Sequence, residues 1–206
     1  MIDKLHYISQ RPLVGTHLDA IKCVLTAGGK WIQLRVKDEE PSAVLDLAIK
    51  ARKLCEQYGA KLIINDYPDI AVKAGAHGVH LGLTDMPLSE AKAIVGQGMI
   101  VGGTANTFKH IVQRVSDGAD YIGLGPFRFT STKQNLSPII GLEGYRAIME
   151  KVREARFVTP IIAIGGITVA DIAVLRQAGL YGVALSGGLT NKREINLIVN
   201  DAYSKL

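Results

Sequence analysis

The stretch Lys61-Leu62-Ile63-Ile64-Asn65-Asp66-Tyr67 is a short apolar run that closes on polar residues. Seven comparable segments recur along the chain, at 5–10, 31–37, 78–83, 99–105, 121–127, 160–166 and 182–188. Each is six or seven residues long, rich in Ile, Val and Leu, with Gly or polar residues at its ends. Runs that are apolar on both faces suit strands buried on both sides, as in parallel sheets covered by helices.

The intervening stretches carry helical spacing. Ala43, Leu47, Ala51 and Leu54 form an i, i+4, i+8, i+11 stripe, and Ile172, Leu175 and Ala178 a shorter one. Thr16 with Asp19, and Thr168 with Asp171, resemble capping boxes that use the shorter acid. Pro68 and Pro87 stand where a first helical turn accepts them. Gly59, Gly75 and Gly179 follow expected helix ends as C′ residues.

The order is strand then helix, eight times, which predicts an α/β fold: a closed (β/α)8, or TIM, barrel. A doubly wound open sheet is the alternative. That fold usually carries G-x-G-x-x-G after its first strand, and none follows here. No linker or composition break divides the 206 residues, so one domain over 1–206 is expected. The longest interval between strand starts, 39 residues, follows the sixth strand. Its loop holds Arg128, Thr130, Ser131, Thr132 and Lys133, and reads as a cover over an anion.

Composition narrows the function classes. The chain is 48% hydrophobic and 21% charged, which excludes collagen, low-complexity disorder and a disulfide scaffold. Its apolar runs are too short to span a bilayer, and its first ten residues lack the apolar stretch of a signal peptide, so the cytosol is expected. Cys23 and Cys55 lack metal-site spacing and read as reduced, buried thiols. The net charge is +5, but no basic run of five or more exists, which argues against a nucleic-acid partner. Phosphorylated small molecules fit a mild, scattered excess of this kind.

In such barrels the active site lies at the C-terminal ends of the strands. The second strand ends Gln33-Leu34-Arg35-Val36-Lys37, so with a period of two Gln33, Arg35 and Lys37 share one face. Cations aimed into a barrel call for an anion or carboxylates to meet them. Asn65 and Asp66 end the third strand, Asp85 follows the fourth, and Gly103-Thr104 ends the fifth. Asp66 and Asp85 have two readings: helix capping, or a Mg²⁺ site completed by phosphate and water oxygens. Gly165-Gly166 and Ser186-Gly187-Gly188 end the last two strands, where barrels often hold a phosphate on backbone amides. Asp38, Glu39 and Glu40 read as a solvated helix start. His80 reads as a satisfied core histidine, and His17 and His110 as surface helix residues. No Ser-His-Asp, Cys-His or H-E-x-x-H set is present.

Five motifs, in order, resemble the thiamine phosphate synthase family. They are Gln33-x-Arg35-x-Lys37, Asn65-Asp66, Gly78-Val79-His80-Leu81-Gly82 with Asp85, Gly125-Pro126-x-x-x-Thr130-x-Thr132-Lys133, and Ala163-Ile164-Gly165-Gly166-Ile167. The resemblance covers essentially the whole chain. It implies a barrel that joins 4-amino-2-methyl-5-hydroxymethylpyrimidine diphosphate to 4-methyl-5-(2-phosphoethyl)thiazole, releases pyrophosphate and needs Mg²⁺. Gln33, Arg35, Lys37 and Asn65 would then hold the pyrimidine diphosphate, and Asp66 and Asp85 the Mg²⁺. Thr104 would meet the pyrimidine amino group. Thr130, Thr132 and Lys133 would close over the anionic groups, with Lys133, Arg35 and Lys37 catalytic. Gly166, Leu185 and Ser186 would cradle the thiazole phosphate. Thr104 stands where the family usually has Ser, and Leu83 where many members have Gln. Arg128 has no place in the family pattern.

The chemistry so implied needs no general base. Pyrophosphate departs, the aminopyrimidine spreads the positive charge, and the thiazole nitrogen attacks with its lone pair. The alternatives are a related thiazole tautomerase, a non-catalytic barrel that binds phosphorylated metabolites, and a sugar-phosphate epimerase. The tautomerase has a histidine just after the fifth strand, where this chain has Asn106. The epimerase would want paired acids or metal-binding histidines. No membrane partner is expected, and homo-oligomerisation is compatible with the sequence.

Overall fold

The computed structural model of the chain describes residues 1–37, 39–130, 137–190 and 194–206. Its strands are β1 Leu5–Ile8, β2 Trp31–Leu34, β3 Lys61–Asn65, β4 Gly78–Leu81, β5 Ile100–Ala105, β6 Tyr121–Leu124, β7 Ile161–Ala163 and β8 Gly182–Leu185. Among the described residues the helices are α1 His17–Thr26, α2 Pro41–Gln57, α3 Pro68–Lys73, α4 Leu88–Val95, α5 Phe108–Ser116, α6 Gly141–Glu154, α7 Ile172–Gln177 and α8 Ile195–Ser204. All neighbouring strands are parallel, and β1 pairs with both β2 and β8, so the sheet closes as expected.

The strands are shorter than their apolar runs. Beyond Leu34, Asn65 and Leu185 the chain leaves the ladder, and after Leu34 the burial still alternates, with Val36 buried between half-buried Arg35 and exposed Lys37. Leu34 and Val36 are buried in the layer between barrel and helices, and Gln33 lies on the opposite face. Helix boundaries follow the local signals. Thr16 and Asp19 form a complete capping box, and Asp171 accepts from the Thr168 amide at 2.8 Å ahead of a 3₁₀ turn at Val169–Asp171. Pro68 opens α3, whereas Pro87 stands one residue before α4. Gly59, Gly75 and Gly179 all have positive φ just past helix ends.

Two expectations need correction. The buried line of α2 is Val44, Ala48, Ala51 and Cys55, rotated by one position from the expected stripe. Small side chains there let the helix approach the sheet, and Leu47 and Leu54 flank the contact, partly buried. Cys55 is buried, which pushes its thiol up to about 12, but Cys23 is exposed on the outer side of α1.

A second, smaller cluster fills the barrel: Ile8, Trp31, Ile63, Tyr121, Ile162 and Ala184. His6 stacks on Trp31 with centroids 4.5 Å apart, and burial holds its ring neutral, lowered to about 3. Tyr121 crosses the lumen where Gly102 stands, and a Cβ at that position would lie 2.3 Å from the ring. Among the described residues no helix is long and apolar enough to cross a membrane. Gly102→Ala should therefore overpack the lumen and cost about 1–3 kcal/mol. A urea titration should show a lower midpoint with unchanged slope, and an unmoved midpoint would count against this packing.

Candidate active site

Every strand of a closed parallel barrel delivers its C-terminal end to the same mouth, so residues distant in sequence meet there. Gln33 and Asn65 are the first pair: Gln33 Nε2 donates to Asn65 Oδ1 at 3.0 Å. Lys37 forms an ion pair with Asp66 across the neighbouring strand ends. Arg35, between Gln33 and Lys37 in sequence, is half-buried, and its backbone amide donates to Ser9 Oγ at 3.1 Å. Ser9 in turn meets His17 Nδ1 at 3.1 Å, so His17, expected on the surface, is half-buried and tied to β1.

Asp66 and Asp85 are not helix caps. The N-cap residues of α3 and α4 are Tyr67 and Pro87, neither with a side-chain bond to the helix. Asp66 has a left-handed φ of 70°, uncommon for a residue with a side chain and of a kind that clusters at functional sites. Its carboxyl is raised above the ordinary carboxylate range, first by burial and then by the adjacent Asp85 carboxyl, against the pull of Lys37. Asp85 accepts from the Gly82 amide at 2.6 Å. A Cβ on Gly82 would lie 2.8 Å from that same carboxylate oxygen, so glycine is what permits the approach.

The network continues along the rim. Arg114 of α5, unremarked in sequence, is 8% exposed and reaches up between two strand ends. Its Nη2 donates to the Gly82 carbonyl at 2.8 Å and its Nε to the Thr104 carbonyl at 3.1 Å. Thr104 Oγ1 meets His80 Nε2 at 3.0 Å, and His80 Nδ1 meets the Tyr121 hydroxyl at 3.0 Å. The core reading of His80 holds, and the residue also steadies a hydroxyl at the mouth. Asn106 spends its amide on the Gly125 and Pro138 carbonyls, at 2.9 and 3.0 Å, bracing both ends of the loop after β6.

Thr130 is half-buried in that loop. Ser131, Thr132 and Lys133 lie outside the described residues, as does Asp38. The glycine turns after β7 and β8 adjoin: a Cβ on Gly188 would sit 3.8 Å from the Ile167 carbonyl oxygen. Among the described residues, the amides of Gly166, Ile167, Gly187 and Gly188 donate to no protein acceptor. Ser186 is half-buried, and its carbonyl takes the amides of Leu189 and Thr190. The Leu185 side chain is buried in the layer facing the helices, so only its backbone is available to a ligand.

Arg128 is bound to the first of these turns. Its guanidinium forks onto Asp171 at 2.6 and 2.7 Å and also donates to the Gly166 carbonyl at 2.7 Å. The hydrogen bonds from Arg128 and Thr168 hold the Asp171 carboxyl below the ordinary range despite its partial burial. In the sequence Asp171 carries only a capping signal, and Arg128 has no place in the family pattern. Nothing in local spacing joins residues 43 positions apart.

A family model described as thiamine monophosphate synthase matches residues 5–189. The chain is 43% identical over 206 residues to a thiamine-phosphate synthase of Flavobacterium psychrophilum, covering 100% of both. It is 45% identical to that of Flavobacterium johnsoniae, covering 100% of this chain and 97% of the relative. The solved structure of a thiamine phosphate pyrophosphorylase from Pyrococcus furiosus superposes with a TM-score of 0.85 at 27% identity, covering 98% of this chain and 94% of that one.

A depressed carboxylate contributes stability above its unfolded value near 3.9, and that stability is lost as pH falls through the folded value. Asp171→Asn should thus cost up to about 1 kcal/mol at pH 7, a small figure because Arg128 is largely solvated. The urea midpoints of the two proteins should begin to converge as the pH falls below about 4, and meet once it has passed the lower folded value. A difference that stayed constant down to acid pH would remove the carboxylate from this account.

Proposed function

The chain belongs to the thiamine monophosphate synthase family and catalyses the transferase reaction of thiamine-phosphate synthases, and from that premise we propose how its residues share the work. One barrel domain over residues 1–206, acting in the cytosol, joins the pyrimidine diphosphate to the thiazole phosphate at the mouth described above. The observation that carries this reading is Lys37 paired with Asp66, with Asp85 beside it, next to the Gln33–Asn65 pair.

The donor set fits Mg²⁺. Two carboxyls pressed together, with Asp66 raised by burial and by its neighbour, invite a cation at that point. Asp66 and Asp85 would hold it. Among the described residues no third acid, histidine or cysteine joins them, which leaves positions for diphosphate and water oxygens, the usual Mg²⁺ shell. Bound there, Mg²⁺ would supply charge neutralisation on the diphosphate.

Gln33, Asn65 and Thr104 orient the pyrimidine. Arg35 and Lys37, with Lys133 from the loop, stabilise charge as it gathers on the departing pyrophosphate; preorganised charges of this kind are usually the largest catalytic contribution. Thr130 and Thr132 add hydroxyl donors. The amides of Gly166 and Gly187, which have no acceptor among the described residues, receive the thiazole phosphate with Ser186 and the Leu185 backbone. The thiazole nitrogen attacks through its lone pair and has no proton to lose, so no base is required. Asn106, whose amide is committed to two backbone carbonyls, supplies no acid or base where the tautomerase would need one.

Pure protein given both substrates and MgCl₂ should release pyrophosphate only when the thiazole phosphate is present. Thiazole tautomerisation without that release would favour the isomerase reading. Asp66→Ala should raise the Mg²⁺ concentration for half-maximal rate by about tenfold or more, and unaltered metal dependence would take Asp66 out of the site. Lys133→Ala should lower kcat by about a hundredfold with a smaller change in the pyrimidine KM, and an unchanged kcat would reject its role. A secondary isotope effect near unity at the reacting methylene would argue against departure before attack.

A further inference from the structure

The loop after β6 and the turn after β7 are joined by more than their chain neighbours. The Phe127 and Arg128 amides both donate to the Gly165 carbonyl at 3.1 Å. The Arg128 guanidinium packs over the Phe127 ring, 4.5 Å from its centroid. From there Nη1 donates to the Gly166 carbonyl and to Asp171 Oδ2, and Nη2 to Asp171 Oδ1. Asp171 Oδ2 accepts from the Thr168 amide and hydroxyl, both at 2.8 Å. The turn 165–168 is thus gripped at both ends by one guanidinium–carboxylate unit. Gly165 and Gly166 have φ of 92° and 70°, and a Cβ on Gly166 would lie 2.4 Å from Arg128 Cγ.

This grip acts on the donors themselves. In a trans peptide the N–H points opposite to the preceding carbonyl, so anchoring the Gly166 carbonyl sets the direction of the Ile167 amide. Among the described residues neither that amide nor the Gly166 amide has a protein acceptor. Two glycines in the left-handed region are otherwise conformationally free, and an unanchored turn would lose entropy on meeting an anion.

We infer that Arg128 is a positioning residue for the thiazole phosphate: with Asp171 it holds the Gly166–Ile167 amides in their anion-binding orientation, without itself touching the reacting atoms. This rests on the reading above that the adjoining glycine turns receive that phosphate. The planar fork is the working part, because one Nη serves a carbonyl and a carboxylate while the other completes the bidentate pair. A lysine ammonium keeps the charge but cannot reproduce that geometry.

The test is steady-state kinetics of the full enzyme with MgCl₂, varying each substrate separately. The phosphate-free thiazole alcohol, 4-methyl-5-(2-hydroxyethyl)thiazole, serves as a third substrate. Arg128→Lys and Asp171→Asn should each raise the thiazole phosphate KM by roughly tenfold, while the pyrimidine diphosphate KM stays within about twofold. The preference for phosphate over alcohol should fall by the same factor. A normal thiazole phosphate KM in Arg128→Lys, or an equal rise for phosphate and alcohol, would overturn the inference. Gly187→Asp, which sets a carboxylate against the phosphate, separates the premise from the inference. An unchanged KM there overturns the phosphate cradle and the inference with it. A raised KM there beside a normal Arg128→Lys overturns the role of Arg128 alone.

Discussion

Leu5, His6 and Tyr7 pair in register with Val183, Ala184 and Leu185, and this contact turns a row of parallel strands into a cylinder. Closure removes the sheet edges and forces every strand to end at the same opening. An open sheet with the same residues would spread Gln33, Asp66, Thr104 and Gly166 along a line. The packed lumen, with Trp31 and Tyr121 at right angles 5.5 Å apart, keeps the cylinder from collapsing inward. The apolar filling below the mouth is therefore what makes the polar rim possible.

At that rim, charges are held by geometry that costs something locally. Asp66 adopts a left-handed backbone, two carboxyls meet, and Arg114 is buried enough that its guanidinium is lowered from its ordinary value. Backbone groups secure these elements: the Asp66 amide donates to the His80 carbonyl, the Gly82 amide to Asp85, and Arg114 to the Gly82 and Thr104 carbonyls. The rim charges are thus set by the fold itself, and the mechanism proposed above, in which negative charge gathers on departing pyrophosphate, asks for such preorganisation. In the same proposal the glycine turns after β7 and β8 offer amides in place of side chains.

Much of this was legible from residue order. Period-two alternation put Gln33 on one face and Leu34 and Val36 on the other, and both assignments hold although the ladder stops at Leu34. Capping residues and C′ glycines placed the helix ends. Other features resisted for identifiable reasons. Hydrophobicity alone made Leu47 and Leu54 the centre of α2, whereas close approach to a sheet favours Val44, Ala48 and Cys55. Cys23 looked buried because its neighbours Val24 and Leu25 are, yet a one-residue step on a helix turns the side chain outward. Arg114 sits in an ordinary amphipathic helix, and only its length and its neighbours make it part of the rim.

The sequence by itself determined the barrel, the family and the set of residue types at the strand ends, because periodicity and turn chemistry are local and each segment carries its own signal. The tertiary structure alone decided the pairings. Lys37 with Asp66, Arg128 with Asp171, and Asp66 with Asp85 join residues on different strands and loops. Which charge meets which depends on barrel closure and strand stagger, quantities set by the packing of all eight strands together and written in no single stretch of chain.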